Sequence, residues 1–449
     1  MNPANENIQF QFDPNIIEYK INHHHILYSP FNNSIMVVGE QIYSVYRGIL
    51  EGKNPEELAM LCNTDRSSIA TIISDKLYSL SLQNAHFMEC TKVAEYYDCW
   101  LQITNACNLN CEYCYIRKDS QPSNTDSTIH IIDKLLNSCR TNNKNELRIR
   151  FSGGEPLLEK ELIRQCIHYC EKNRGRIRVH YSLITNGTLL CAEDLNWLNN
   201  HHVHVCVSLD GLEFYHDKYR KYSNGQGSFR DVRSTIQFLL ENGIETSVMT
   251  TVTAVNMSGL PELTRELAKL HGVKFRYSFE KCFRNSGTIP LLITRQRDLI
   301  PIILECLNII EEEFTHGNTD FDFSLCDFKV GRPHLRACGA GVYSIALNTQ
   351  GDASICGMGL FEGIVVDHEK DYYSAVHNHY LSLIEQTVEN KDPCKSCLWK
   401  KLCAGGCALN SFYYWNALGC KSPYCETFKS VLPLVVKLVG EKMYYSSLS

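Results

Sequence analysis

Three cysteines in the first third of the chain have the spacing of metal-cluster ligands. Cys107, Cys111 and Cys114 form a C-x3-C-x2-C pattern. Three thiolates at this spacing can bind three irons of a [4Fe–4S] cube, which leaves the fourth iron open for a ligand or substrate. A cluster that only transfers electrons normally has four protein ligands. A zinc site, which would need a fourth ligand, is the alternative.

A second group of cysteines lies near the end of the chain. Its members are Cys338, Cys356, Cys394, Cys397, Cys403, Cys407, Cys420 and Cys425, with Cys326 just upstream. The chain begins without the basic and apolar segments of a secretory signal, so we expect it in the cytoplasm, where thiols stay reduced. Metal or Fe–S ligation is therefore favoured over disulfides, and a four-cysteine zinc ribbon over 394–407 is the alternative. The scattered cysteines are expected to be small buried hydrophobes.

Composition limits the kinds of protein that this chain can be. It has 449 residues, of which 44% are hydrophobic and 21% charged, and its formal net charge is −6. These values are typical of a globular protein with a sizeable core and exclude a disordered or fibrous chain. The acidic balance argues against a nucleic-acid partner bound through a basic surface. The longest apolar stretches, such as residues 431–439, are too short and interrupted to span a membrane.

Alternating strands and helices position the first cysteine group. The predicted strands are 99–104, 147–151, 179–183, 204–209, 246–252 and 274–279. The predicted helices between them are 131–139, 162–172, 192–199, 229–241 and 261–270. This alternation predicts an α/β fold with a parallel sheet curled into a partial (β/α)6 barrel. Such barrels place their sites at the carboxyl ends of the strands, so segments 107–114, 153–156, 185–187 and 208–210 are expected to lie together.

The first 90 residues predict a small separate unit. Strands at 16–20, 25–28 and 34–38, followed by three short helices, indicate a winged-helix-like domain. Residues 1–90 hold five Lys and Arg against ten Asp and Glu. This balance argues against a surface that binds DNA phosphates.

The first cysteine group and the motifs after it resemble the radical S-adenosylmethionine (SAM) superfamily. The matching motifs are the three cysteines with aromatic Tyr113, the turn from Phe151 to Pro156, and the segment from Ser208 to Arg220. The resemblance implies that Cys107, Cys111 and Cys114 hold the catalytic [4Fe–4S] cluster, to which SAM binds. It implies SAM contacts from Tyr113, Gly153, Gly154, Glu155, Asn186, Ser208, Asp210 and Arg220. Arg220 would pair with the SAM carboxylate, and the glycines would let the backbone approach the ligand.

The second cysteine group resembles the SPASM extension of radical SAM enzymes. The pattern is Cys338-x12-Gly351-x4-Cys356, followed by Cys394-x2-Cys397-x5-Cys403-x3-Cys407-x17-Cys425. The resemblance implies two auxiliary [4Fe–4S] clusters. One would use Cys394, Cys397, Cys403 and Cys425, and the other Cys338, Cys356 and Cys407. The fourth ligand of the latter would be Cys326 or Cys420, or its iron would be open.

The N-terminal unit resembles the precursor-recognition domain of peptide-modifying enzymes. Such domains bind a leader peptide as an added strand of their sheet. A structural cap on the barrel is the alternative. The resemblances together imply a winged-helix-like peptide-recognition domain at 1–92 and a radical SAM partial barrel at 93–290. A connecting helical bridge at 291–335 and a SPASM domain at 336–449 would follow.

These resemblances imply a radical SAM/SPASM oxidoreductase that matures a ribosomally made peptide. It would cleave SAM reductively, remove a hydrogen atom from the precursor peptide and install a thioether or carbon–carbon cross-link. The alternatives are a sulfatase-type formylglycine maturase, a peptide epimerase or small-molecule enzyme of the same superfamily, and a non-enzymatic Fe–S regulator. The implied partners are the precursor peptide and an electron donor such as flavodoxin or ferredoxin. Asp210, Glu280 and Asp327 are candidates for a general base.

Overall fold

Two β-sheets organise the chain, one at the N-terminus and one through the middle. The computed structural model describes residues 11–82, 95–114, 116, 118, 124–283, 289–326, 328–362, 366 and 371–448. Among these residues, no helix combines the length and the apolar character that crossing a bilayer requires.

The N-terminal unit is a three-stranded antiparallel sheet followed by three helices. The strands are β1 (Ile17–Ile21), β2 (His24–Ser29) and β3 (Ser34–Gly39), with β2 in the centre. The helices are α1 (Glu40–Leu50), α2 (Pro55–Leu61) and α3 (Arg66–Thr71). A capping box starts α2, since Asn54 and Glu57 satisfy each other's backbone N–H groups. The structure thus contains the predicted strands and helices, and the third helix continues to Leu80 through π and 3₁₀ turns.

The central sheet contains the six strands expected from the sequence, parallel and in chain order. They are β4 (Tyr96–Thr104), β5 (Glu146–Gly153), β6 (Arg178–Thr185), β7 (His204–Ser208), β8 (Thr246–Val252) and β9 (Val273–Phe279). The intervening helices are α4 (Thr125–Thr141), α5 (Lys160–Asn173), α6 (Leu195–Asn200), α7 (Glu213–Tyr219), α8 (Phe229–Glu241) and α9 (Leu260–Ala268). Every second residue of β8 is buried, as expected for a strand whose side chains alternate between two faces. All six carboxyl ends therefore lie at one edge.

Three further strands extend this sheet beyond the six expected ones. After α10 (Leu291–Thr294) and α11 (Gln296–Thr315), strand β10 (Phe321–Leu325) pairs in parallel with β9. At the other end, β11 (Ser344–Leu347) pairs in parallel with β4, and β12 (Ala353–Ser354) pairs with β11. The hairpin formed by β11 and β12 thus belongs to the central sheet.

Five helices complete the C-terminal part of the chain. They are α12 (Tyr372–His379), α13 (Leu381–Ile384), α14 (Lys400–Cys403), α15 (Ala408–Trp415) and α16 (Cys425–Ser446). The long helix α16 packs on α11 and also on the N-terminal sheet. Tyr19 of β1 donates a hydrogen bond to the Pro433 carbonyl at 2.9 Å, and a Cβ on Gly440 would lie 2.4 Å from Ile26. This close approach joins the N-terminal unit to the rest of the protein.

Candidate active site

The loop that carries Cys107, Cys111 and Cys114 follows β4 and is tied to the segment after α7. Asn110 N donates to the Lys221 carbonyl at 2.6 Å, and Leu109 forms an antiparallel bridge with Tyr222. All three cysteines are half-buried. The protein therefore fixes the backbone of the loop by contacts that are independent of any metal.

Gly153 and Gly154 lie where the chain after β5 passes the end of β4. Gly154 N donates to the Thr104 carbonyl at 2.8 Å, and Glu155 N donates to the Ala106 carbonyl at 2.8 Å. A Cβ on Gly153 would lie 2.3 Å from the Thr104 oxygen, and one on Gly154 would lie 2.1 Å from the Ala106 oxygen. Both positions thus require glycine because of the neighbouring backbone, a reason that the sequence pattern does not reveal.

The carboxylate of Glu155 joins the ends of β5 and β6. It accepts hydrogen bonds from Leu157 N at 3.0 Å, Thr185 Oγ1 at 2.7 Å and Asn186 N at 2.7 Å. Burial raises the pKa of this carboxyl group, while the three hydrogen bonds act in the opposite direction. Both carboxylate oxygens are engaged within the protein, so Glu155 positions the loop that carries Asn186.

Asp210, Arg220 and Tyr113 form one buried group. Asp210 Oδ2 accepts hydrogen bonds from the Tyr113 hydroxyl and from Arg220 Nε, the latter at 2.7 Å. Asp210 Oδ1 accepts one from Thr251 N at 2.9 Å. Burial disfavours the charge on Arg220, but Asp210 more than offsets this, and the pKa of the guanidinium lies well above its usual value. The structure thus brings together three residues for which the sequence implies SAM contacts.

A buried histidine, His216, holds the backbone of Asp210 directly and that of Arg220 through Ser228. Its Nδ1 accepts from Asp210 N at 3.2 Å, and its Nε2 lies 3.0 Å from Ser228 Oγ, which donates to the Arg220 carbonyl. Burial, followed by the charge of Arg220, lowers the pKa of His216 to about 3, so the ring is neutral. Sequence reasoning assigns His216 no role beyond its place in the motif, since both of its contacts depend on the fold.

Asn186 lies beside the cysteine loop. Its Nδ2 donates to Asn108 Oδ1 at 2.9 Å and is 3.9 Å from the Cys107 sulfur. Burial raises the pKa of the Cys107 thiol to about 11, so iron must displace its proton on binding. Ser208, the remaining predicted contact, is half-buried at the end of β7. Three thiols at the carboxyl edge of the sheet fit the donor set of a [4Fe–4S] cluster.

The C-terminal cysteines fall into neighbouring sets. Burial raises the pKa of Cys403, and the nearby thiols of Cys425, Cys394 and Cys397 add to this effect. Cys407 likewise lies close enough to Cys356 to raise its pKa. Burial is the main cause that raises the pKa of Cys356 to about 11. Cys338 is exposed. In the parts of the chain that the structure describes, no three His, Cys, Asp or Glu side chains converge on a single metal ion, as zinc would require.

A cavity beside Cys403 and Cys407 contains a further thiol. Cys326, Cys403 and Cys407 line this cavity together with Ser278 and Asn410. Cys326 directly follows β10 and has a left-handed backbone, with φ of 51°. Its amide donates to the Tyr277 carbonyl at 2.8 Å, which anchors it to β9.

The candidate bases differ in their surroundings. The carboxylate of Asp210 is fully engaged, as described above. Glu280 follows β9 at the carboxyl edge of the sheet, is half-buried, and has a pKa raised by burial. Asp327 lies outside the described residues.

Comparisons with known proteins identify the domain that contains the first site. The family model described as "Radical SAM superfamily" matches residues 101–270. An uncharacterized protein of Methanocaldococcus jannaschii is 35% identical over 39% of this chain, which spans 59% of the length of that relative. The cysteine-type anaerobic sulfatase-maturating enzyme of Clostridium novyi is 24% identical over 72% of this chain and 91% of its own. The PqqA peptide cyclase of Bradyrhizobium diazoefficiens is 24% identical over 72% of this chain and 84% of its own.

Two groups of solved structures share the fold. Native anSMEcpe with bound AdoMet matches 77% of this chain and 99% of its own, with a TM-score of 0.61 and 18% identity. Streptococcus suis SuiB bound to precursor peptide SuiA matches 92% of this chain and 98% of its own, with a TM-score of 0.51 and 16% identity. Residues 101–270 therefore form a radical SAM domain, and the chain is similar over most of its length to relatives that include a peptide cyclase.

Proposed function

We propose that the chain is a radical SAM/SPASM oxidoreductase that installs a thioether or carbon–carbon cross-link in a ribosomally made precursor peptide. The observation that carries this proposal is the convergence of the cysteine loop, the glycine turn and the Asp210–Arg220 pair at one edge of the sheet. When bound there, the cluster and SAM supply a 5′-deoxyadenosyl radical, which removes a hydrogen atom from a peptide carbon.

In the proposed SAM site, some residues would bind SAM directly and others would position those residues. The Asp210 ion pair engages Arg220 through Nε, which leaves the outer guanidinium nitrogens to pair with the SAM carboxylate. Tyr113 holds Asp210 from the cysteine loop, so the position of the arginine depends on the position of the loop. Gly153, Gly154, Asn186 and Ser208 would complete the SAM site. Glu280 is the proposed general base, since its carboxyl group is at the same edge and already has a raised pKa.

The N-terminal unit supports a peptide as the substrate. Strand β3 has a partner, β2, on one side only among the residues that the structure describes. An unpaired strand edge can bind an extended peptide through backbone hydrogen bonds. The match to SuiB covers 92% of this chain, which is too much to leave out residues 11–80. We therefore propose that residues 1–92 are a winged-helix-like domain that binds the leader peptide at β3.

The C-terminal cysteines would hold two auxiliary [4Fe–4S] clusters within a SPASM domain at 336–449, reached through the bridge at 291–335. One set would be Cys394, Cys397, Cys403 and Cys425. It is supported because the other three thiols lie close enough to Cys403 to raise its pKa. Cys338, Cys356 and Cys407 would form the other set. We propose Cys326 as its fourth ligand in preference to Cys420, because Cys326 lines the same cavity as Cys407. A cytoplasmic flavodoxin or ferredoxin would supply the electron.

A sulfatase-type formylglycine maturase is the second candidate. The higher TM-score of anSMEcpe favours it, as does the 24% identity to the sulfatase-maturating enzyme of Clostridium novyi. The match to anSMEcpe, however, covers only 77% of this chain. The part of this chain that anSMEcpe does not match favours the first candidate, a peptide-modifying enzyme with a domain that binds the leader peptide.

The test is mass spectrometry on a short peptide encoded beside the gene and produced anaerobically together with the enzyme. We expect the peptide to lose two hydrogens with the wild-type chain and to stay unchanged with Cys107→Ala. Fragmentation would locate the cross-link. An unmodified neighbouring peptide, together with conversion of a sulfatase-derived peptide to formylglycine, would overturn the proposal in favour of the second candidate. Deuterium uptake from heavy water without a loss of hydrogen would identify an epimerase.

A further inference from the structure

Lys391 is a buried lysine between the two sets of C-terminal cysteines. It lies three residues before Cys394 and is only 3% exposed. Its Nζ would be 3.3 Å from a Cβ on Gly405, which belongs to the turn between Cys403 and Cys407. The ammonium group therefore lies against the backbone that joins a proposed ligand of one cluster to a proposed ligand of the other.

The surroundings of Lys391 contain thiols, while the nearby carboxylates pair with other lysines. Burial lowers the pKa of Lys391, and the nearby thiols of Cys394, Cys407, Cys403 and Cys338 oppose this effect when they are ionised. Glu389 pairs with Lys400 and Lys401, and Asp392 pairs with Lys395. Within the described residues, neither of these two carboxylates forms an ion pair with Lys391.

Lys401 provides a comparison within the same segment. It is 1% exposed, and its ammonium is bound by Glu389. A buried ammonium normally requires such a partner, since an uncompensated buried charge costs several kcal/mol. At Lys391 the groups that can supply negative charge are thiolates, and an iron–sulfur cluster bound by them would add sulfides.

We propose that Lys391 is a positioning residue that compensates the charge of the auxiliary clusters, with its N–H groups directed at their sulfur atoms. The inference rests on the proposed function, because it requires clusters at these cysteines. A fixed positive charge favours the reduced, more negative state of a cluster, so Lys391 raises the reduction potential of at least one auxiliary cluster. This makes electron acceptance easier at that cluster.

The test compares the full-length chain with three variants after anaerobic reconstitution. Lys391→Met removes the charge, Lys391→Arg keeps it, and Lys395→Met removes an exposed charge four residues away. Iron and sulfide analysis comes first, and we expect about twelve irons per chain, four for each of three clusters. Redox titration monitored by electron paramagnetic resonance (EPR) then reports the auxiliary clusters, with dithionite as the reductant.

In Lys391→Met, we expect the ratio of reduced to oxidised auxiliary cluster at a fixed potential to fall about tenfold, which is 59 mV for one electron. Lys391→Arg and Lys395→Met should titrate like the wild type. If Lys391→Met binds less iron while Lys391→Arg binds the full amount, the positive charge is needed for cluster binding. This outcome also supports the inference. Equal loss of iron in both Lys391 variants would show a requirement for shape and overturn the inference.

A full iron content with unchanged titration in Lys391→Met would overturn the role of Lys391 alone. A wild-type chain with only about four irons would instead overturn the proposed auxiliary clusters. The iron analysis therefore distinguishes a failure of this inference from a failure of the proposed function.

Discussion

At the residue scale, the carboxylate of Asp210 connects the cysteine loop, the segment after α7 and strand β8. It does so through Tyr113, Arg220 and Thr251 respectively. A shift of the cysteine loop therefore acts directly on the arginine proposed to bind SAM. The connection makes cluster binding and SAM binding interdependent.

Substitution of Asp210 by Asn should weaken SAM binding. The amide keeps the shape of the side chain but removes the charge that holds Arg220, and loss of one partner of a buried ion pair typically costs 3–5 kcal/mol. We expect the Kd for SAM to rise at least tenfold in calorimetric titrations of the reconstituted enzyme. Asp298→Asn, which changes an exposed ion pair, is the matched control. Unchanged affinity in Asp210→Asn would contradict this role.

The proposed cluster ligand Cys326 can be tested against Cys420. Cys326→Ala should remove or convert one auxiliary cluster, because the thiol lines the cavity with Cys407. Cys420→Ala should leave the iron content and the EPR spectrum unchanged. The reverse result would assign the ligand to Cys420, and unchanged spectra in both variants would indicate an open iron.

Several residues of the site could be predicted from the sequence, and others could not. Cysteine spacing predicts a ligand set at Cys107, Cys111 and Cys114, because thiols within one loop are close regardless of the remaining fold. The hydrogen bonds of Glu155 and His216 depend instead on partners brought together by the sheet and by the segment after α7. No local pattern reveals that these two side chains are engaged.

At the element scale, the loops at the carboxyl edge of the sheet pack backbone against backbone. The glycine turn after β5 leaves no room for a side chain beside Thr104 and Ala106. The loop after β4 can therefore take only one path past β5. This path determines where the three cysteines lie.

Gly154→Ala should destabilise the chain and displace the cysteine loop. The new Cβ would lie 2.1 Å from the Ala106 oxygen, and overpacking of this kind costs about 1–3 kcal/mol. The free energy of unfolding in urea, measured on the cluster-free chain, should fall by that amount. Gly39→Ala is the control, since its Cβ would meet nothing closer than 3.8 Å and its φ of −75° is ordinary. Equal stability of the two variants would show that the loop yields without cost.

The six parallel strands could be predicted because strand-like and helix-like segments alternate along the chain between residues 99 and 279. Strand β10 comes after this alternation, and helix α7 is a second helix within one of its connections, so the pattern predicts neither. Helix α16 contains Pro433 and Gly440, which lower helix propensity. Its packing on α11 and on the N-terminal sheet stabilises it, and this packing is not visible in the local sequence.

At the scale of the whole molecule, α16 packs both on the N-terminal sheet and on α11. Its contact with α11 contains a buried carboxyl group. Burial raises the pKa of Glu441 to about 7, Glu311 of α11 adds to this, and Lys437 opposes it. Lys437 also binds Glu311 at 2.5 Å. The contact between α11 and α16 thus contains two carboxyl groups and one ammonium group.

The stability of this contact should depend on pH. Because the folded state favours protonated Glu441, its contribution is fully present below the ordinary pKa of 4.5 and is lost as pH rises through about 7. We expect Glu441→Gln to raise the free energy of unfolding relative to wild type at pH 7.5, by about 1–3 kcal/mol, and to have little effect at pH 4.5. Glu426→Gln, on an exposed turn of the same helix, should be neutral. A constant difference at all pH values would contradict the assignment.

The pairing of β11 with β4 determines how the protein can be divided. The cysteine-rich segment contributes this strand to the central sheet, and Ser344 Oγ also donates to Asp98 of β4 at 3.1 Å. A fragment that ends before β11 would expose the hydrogen-bonding groups of β4 along an edge. Such edges pair with other chains and promote aggregation. We therefore expect such a fragment to aggregate, whereas the full chain keeps this edge of β4 covered.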